Sequence, residues 1–241
     1  MTHEFDLTRS LAAGVEDRQG AWRFIRDFAA HWTDDILGDA DGCPEADLAA
    51  AEERLGLRLP AALREAYALL GNRRDLTSNH DELRAPAELY VDESGEALVF
   101  RDENQGAARW GILLTDLAQD DPAVVIRLDL ADKSAEAWES WLDRVSLTFV
   151  EIVLSESLHA PDELVAYLDA PDEADLDELE RRGKRLPLPA YPPDEEGATR
   201  WFLRDDVLLR DDAGAWLMAR GRTEEALDRV RDRIDGDWLN G

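Results

Sequence analysis

The chain has 241 residues, 44% of them hydrophobic, which is enough for a real core and argues against wholesale disorder. Its 55 acidic and 27 basic side chains leave a formal charge of −28. That balance excludes a duplex-binding surface, since phosphate contacts need clustered Lys and Arg, and it suits a basic partner or a solvated exterior.

Residues 1–19 are polar and weakly patterned, and read as an N-terminal arm or short cap. Trp22, Ile25, Phe28 and Trp32 then mark an amphipathic helix that opens a main domain over residues 20–160. A loop from Asp34 to Pro44 follows. Leu48, Ala51 and Leu55 recur at helical spacing, and Gly56 sits where a helix ends in the left-handed conformation. Pro60 opens a second helix, whose apolar face is Leu63, Ala66, Tyr67 and Leu70. Together they predict a tight helical hairpin.

Asn72 to Pro86 is polar and rich in breakers. Four strands are predicted next: Glu88 to Val91, Ala97 to Phe100, Ala108 to Leu114, and Val124 to Leu128. Gly95 turns between the first two. Asn104-Gln105-Gly106 turns between the second and third, with Gly106 supplying positive φ. Trp110 is expected in the core.

Leu147, Val150, Leu154 and Leu158 follow helical spacing, although Phe149, Val150, Ile152 and Val153 also favour a strand. The length decides for helix. Helix, sheet, helix gives an α+β domain with helices on one face of a small antiparallel sheet.

Residues 161–195 hold a charged helix, Asp172 to Arg182, and a proline-rich connector around Leu186 to Pro193. Residues 196–241 read as a ββα appendage. Its two strands are Trp201 to Arg210 and Ala215 to Ala219, and Thr223 caps its helix. Trp201, Phe202 and Trp216 need covering, so the appendage is expected to dock on the main domain.

Three segments carry a family resemblance: Glu52 to Pro60 in the hairpin, Glu103-Asn104-Gln105, and Trp110-Gly111-Ile112. In this pattern the chain resembles the SUKH superfamily, which includes yeast cell-wall regulators and many bacterial toxin-immunity proteins. The resemblance covers roughly residues 20–160 and implies a helix over the Leu147 stretch as well. One departure is Gly71-Asn72, where family members often have Asn-Gly.

Cys43 is the only cysteine, so no intrachain disulfide forms. Met1 to Asp6 has neither a basic start nor a long apolar run, and no stretch approaches the ~20 apolar residues of a bilayer span. The expectation is a cytoplasmic protein that binds neither nucleic acid nor membrane. Arginine is far commoner than lysine, which is confined to Lys133 and Lys184, and this points to a GC-rich, bacterial genome.

Residues with the makings of chemistry are few. His3, His31, His80 and His159 are far apart and share no zinc-type spacing with Cys43. Asp39-Ala40-Asp41-Gly42 invites a calcium loop, but the first and last ligand positions then fall on Leu37 and Leu48. Phosphate-cradling glycine loops are absent, and Ser155 and Ser157 lack a nucleophile-elbow frame. No catalytic residue, metal or cofactor is therefore expected.

The resemblance implies a non-enzymatic protein-binding module, in the first instance an immunity protein neutralising a bacterial toxin. Many such toxins are basic nucleases, toward which an acidic inhibitor is steered. The alternative is an intracellular regulatory or scaffolding protein of the same superfamily. The candidate partner-binding residues are Asp92, Glu93 and Glu96 in one turn, with Asp102, Glu103, Asn104 and Gln105 at the next. Oligomeric state is left open.

Overall fold

The computed structural model describes residues 5–191 and 198–240. It begins with a helix, α1 (Leu7–Gly14), within the stretch expected as an arm. Asp6 caps it by accepting from the Arg9 N–H at 3.1 Å, and Leu7 and Leu11 are buried. Only Leu7 and Leu11 bring large apolar side chains in two turns, too short a stripe to stand out in sequence.

α2 (Arg18–Trp32) buries Trp22, Ile25, Phe28 and Trp32, as their spacing predicts. α3 (Glu45–Leu55) and α4 (Ala61–Leu70) form the predicted hairpin. Gly56 ends α3 at φ 68°, in the left-handed region. Buried Glu52 holds the link from within: it accepts from the Leu59 N–H at 2.9 Å and pairs with Arg64 at 2.9 Å. Gly42 has a steric role. A Cβ there would stand 1.8 Å from the Ala68 carbonyl oxygen, so only glycine lets this loop lie against α4. A single turn, α5 (Arg74–Thr77), follows.

The first sheet contains β1 (Glu82–Leu83), β2 (Tyr90–Val91), β3 (Ala97–Asp102), β4 (Ala108–Leu113), β5 (Val124–Leu128) and β6 (Glu139–Leu142). All its pairs are antiparallel, in the order β1-β3-β4-β5-β6, with β2 also on β3. Glu88 belongs to a 3₁₀ turn before β2, so the first predicted strand is shorter than its sequence suggests. β6 has no counterpart among the predicted strands; its exposed Glu139 and Ser140 hide it.

β3 carries a bulge that re-aims two of its side chains. Val99 faces Gly111 while Arg101 faces Trp110, so Phe100 is the extra residue. Phe100 and Arg101 then both turn toward the interior, where Phe100 packs on Phe149 and Arg101 meets Glu156. On the opposite face, a Cβ at Gly111 would come within 3.3 Å of the Trp138 ring. Glycine at this position makes room for Trp138 to cover the sheet.

α6 (Val145–Ser157) is buried along its whole length. A helix buried all round needs walls on every side, and a second sheet supplies one. Its strands are β7 (Val165–Asp169), then, after α7 (Glu173–Arg182), β8 (Lys184–Arg185), β9 (Arg200–Arg204), β10 (Val207–Asp212) and β11 (Trp216–Gly221). After α8 (Glu224–Arg231), β12 (Leu239–Asn240) completes it. The order is β12-β7-β11-β10-β9-β8, again antiparallel. The fold is α+β.

This second sheet enlarges the expected C-terminal piece. It starts at β7, before the connector, and ends at β12. The predicted strand Trp201 to Arg210 is itself a hairpin, turning at Asp205 (φ 50°) and Asp206 (φ 64°). Both faces of the sheet are covered. Trp201 and Leu208 join the core around α6, whereas Phe202 and Leu209 join a smaller core with Leu227 and Val230 of α8. Burial on both faces erases the apolar–polar alternation that would have marked two strands. Leu186, Leu188 and Tyr191 of the connector pack into the main core; Pro192 and Pro193 lie outside the described residues. Among the described residues no helix is long and apolar enough to cross a membrane.

Candidate functional site

The predicted contact residues fall at opposite ends of β3. Asp92, Glu93 and Glu96 precede it, and Glu103, Asn104 and Gln105 follow it. At ~3.4 Å per residue the strand separates the two groups by about 17 Å. They form two small, separate patches.

Asp92 is not a surface group. It is 4% exposed and accepts from the N–H groups of Glu96 at 2.8 Å and Ala97 at 3.0 Å. Ser94, Arg127 at 3.2 Å and the Trp138 indole N–H at 3.1 Å also donate to it. Burial pushes its carboxyl up, but the hydrogen bonds from Ser94, Ala97, Glu96 and Trp138 outweigh that and hold it well below the usual range. Asp92 therefore fixes the turn and pins Trp138 over the sheet. Glu93 and Glu96 are exposed, Glu93 lying 3.4 Å from Arg109. Asp102 is engaged by Arg84 and by the Tyr90 hydroxyl at 3.3 Å.

The loop after β3 is built as its sequence suggests. Glu103 accepts from the N–H groups of Gln105 and Ala107, each at 2.8 Å, and Gly106 has φ 79°. Asn104 and Gln105 are exposed. The fold adds two residues that no motif announced. His80 and Asp81, from the link between α5 and β1, lie beside the loop. The Asn104 N–H donates to Asp81 at 3.3 Å, and the Asn104 amide is 3.1 Å from His80 Nδ1. Potential ligand atoms of His80, Asp81 and Glu103 all lie within 4.8 Å of one another.

Behind this loop end runs a buried ionic network. Arg101 meets Glu156 at 2.6 Å, Asp81 at 3.1 Å and Glu151 at 3.6 Å, and its guanidinium lies over the Trp110 ring, 4.7 Å from the centroid. Glu151 accepts from Ser155 at 2.7 Å and from the Tyr191 hydroxyl at 2.8 Å. Tyr191 in turn accepts from the Trp201 indole N–H at 3.1 Å, and Arg210 donates to Ser155. The chain of contacts thus links the first sheet, through α6, to the second.

Several groups respond to this burial. Desolvation raises the Asp81 carboxyl, Arg101 opposes the rise, and Glu156 adds to it. Desolvation, then the Glu151 charge, drives Tyr191 well above the usual phenol value. His159 stacks on His80 with ring centroids 4.1 Å apart. Its own burial first, then the charges of His80, Arg210 and Arg101, push its imidazole down to about 3.

One signal of this network was present in the sequence. Glu151 and Glu156 interrupt the most apolar helix of the chain, and buried carboxylates require a cation or donors. Arg101, prolonging the apolar run Leu98-Val99-Phe100, was the matching clue.

A separate cleft of about 510 Å³ opens where α2 and α6 end against the second sheet. Arg220 forms its floor, donating to the carbonyls of Ser157 at 2.8 Å and Trp32 at 3.4 Å and pairing with Asp162 at 3.0 Å. A cation at two helix C-termini is well placed against both dipoles. Comparison with models of protein families, with curated proteins and with solved structures gives no match for this chain.

Proposed function

We propose that the chain is a non-enzymatic protein-binding module whose partner is basic. The observation that carries this is how the charge is distributed. Much of the arginine is spent on the chain's own carboxylates, as at Arg101, Arg127 and Arg200, while Glu96 and Glu103 meet no cationic side chain among the described residues. The exterior field is therefore strongly negative around two exposed loop ends, which favours steering a cationic protein.

In its most specific form the reading is an immunity protein that neutralises a toxin. The Glu52 to Pro60 hairpin, the Glu103 to Gln105 loop and the Trp110 to Ile112 strand support it through their resemblance to the SUKH superfamily. A regulatory or scaffolding role in the same superfamily is the second reading. The test is to co-express the chain with the product of each neighbouring reading frame, scoring growth and co-purification. Rescue from one lethal neighbour in a tight complex supports immunity. Several weaker partners and no lethal neighbour point to the scaffold. Absence of any protein partner sinks both.

A further inference from the structure

The loop end beside β3 gathers a second set of groups, whose chemistry does not depend on a protein partner. His80 and Asp81 come from one loop, Glu103 from another, and their nitrogen and oxygen atoms converge within 4.8 Å. Ligands on one first-row ion, with bonds of ~2.0–2.2 Å, stand roughly 3–4 Å apart. The three groups thus need to close by about an ångström. His80 is exposed, so its ring has room to move, and Glu103, whose Oε2 is held by the Gln105 and Ala107 N–H groups, can turn Oε1 to an ion.

The support behind these groups is already fixed. Glu156, 1% exposed, accepts from the backbone N–H of His80 at 2.6 Å and of Asp81 at 3.2 Å. The Asn79 amide donates to the Glu156 carbonyl at 2.8 Å. Arg101 holds Asp81 from the inner side, and His159 backs the His80 ring. Such outer contacts orient the groups that would bind an ion. Charge points the same way. Arg101 lies against three carboxylates, Asp81, Glu151 and Glu156, and Arg210 acts on two of these, Asp81 and Glu151, from farther off; with Glu103 nearby, four carboxylates face two guanidinium groups.

We infer that His80, Asp81 and Glu103 form a site for a borderline divalent cation, Zn²⁺ in the first place, with coordination positions left open to water. One imidazole with two carboxylates suits Zn²⁺ better than Mg²⁺ or Ca²⁺, which take oxygen ligands. Asn104, whose amide oxygen and nitrogen can exchange places against His80, is the nearest further donor.

The experiment is calorimetric titration of the full chain with Zn²⁺, and separately with Mg²⁺, at neutral pH. Wild type should show one saturable Zn²⁺ site and no comparable Mg²⁺ heat. His80→Ala and Glu103→Gln should each weaken Zn²⁺ by at least about tenfold, with the fold checked by circular dichroism. As a second measurement, Co²⁺ should give a visible absorption band that His80→Ala abolishes. Absence of saturable Zn²⁺ heat overturns the site, as does a His80→Ala titration or Co²⁺ band identical to wild type. No partner protein enters these measurements, so their failure leaves the binding-module reading untouched.

Discussion

Arg101 on β3 and Glu156 on α6 meet 2.6 Å apart, and neither is more than 2% exposed. A pair this deep does little for net stability relative to an apolar filling, but breaking it leaves charge stranded. Arg101→Ala would strand Glu156 and Glu151 and remove the partner of Asp81. The expected loss is about 3–5 kcal/mol in denaturant unfolding. A loss under about 0.5 kcal/mol, the usual surface range, would mean that the carboxylates relax into water and the network is not closed.

Asp92 predicts an acid dependence. Its folded-state carboxyl lies below the unfolded value of ~3.9, so its contribution is complete above that value. It is lost as pH falls from about 4 toward the lower folded value. Asp92→Asn should cost about 2–3 kcal/mol at pH 7, where the charge-assisted bonds are intact. The gap between wild type and variant should shrink as pH is lowered to about 2. A gap constant from pH 7 to 2 would show that packing of Trp138, rather than the ionised carboxylate, sets the cost.

The helical hairpin gives the plainest packing test. Leu63 is fully buried on α4 beside Ala62, Ala66 and Tyr67. Leu63→Ala should cost about 2–5 kcal/mol by chemical denaturation, from lost burial and the cavity left behind. A near-zero change would remove α4 from the core.

These tests reflect a division between what local pattern encodes and what only long-range contact creates. α4 is legible because four buried residues repeat at one helical spacing. The loop from Glu103 to Gly106 is legible because its carboxylate and glycine satisfy turn geometry locally. The Asp205-Asp206 turn is harder to read: the charged Arg204-Asp205-Asp206 step marks it, but the strands on either side, buried on both faces, lack the alternation that would set them apart as two. β7 escapes notice for a related reason: five residues, largely apolar, come soon after the longest apolar helix. The site is the extreme case. Arg101 and Glu156 are 55 residues apart, and Asn104 and Asp81 are 23 apart, so no spacing rule relates them. Asp92 misleads for the opposite reason: an acidic residue in a turn is ordinarily exposed, but here Trp138 folds over it.

Ala213 turns the chain between β10 and β11 at φ 58°, in the left-handed region that a Cβ disfavours. That conformation costs an L-residue ~1–2 kcal/mol, and glycine's greater unfolded-state entropy returns part of it. Ala213→Gly should therefore stabilise the protein by about 0.5–1 kcal/mol, read as a higher denaturation midpoint with unchanged slope. A lower midpoint would mean that the methyl group makes contacts worth more than the strain.

The two ends of β3 make the binding proposal separable. Glu93 and Glu96 can be neutralised together by Glu→Gln without touching buried Asp92, and Glu103→Gln keeps the oxygen that Gln105 and Ala107 need. Exposed charges act over ~10 Å at 0.1 M salt, less than the length of β3, so each end should report on its own encounter surface. Association with a cognate basic partner, followed by stopped flow, should slow when the engaged end is neutralised and stay unchanged for the other. The slowing should fade as salt is raised, while dissociation, governed by packed contacts, changes little. Equal association rates for wild type and both variants at low salt would exclude the β3 ends as the encounter surface. The acidic walls of the cleft around Arg220, where Asp34, Asp35 and Asp162 gather, would then be the next surface to neutralise.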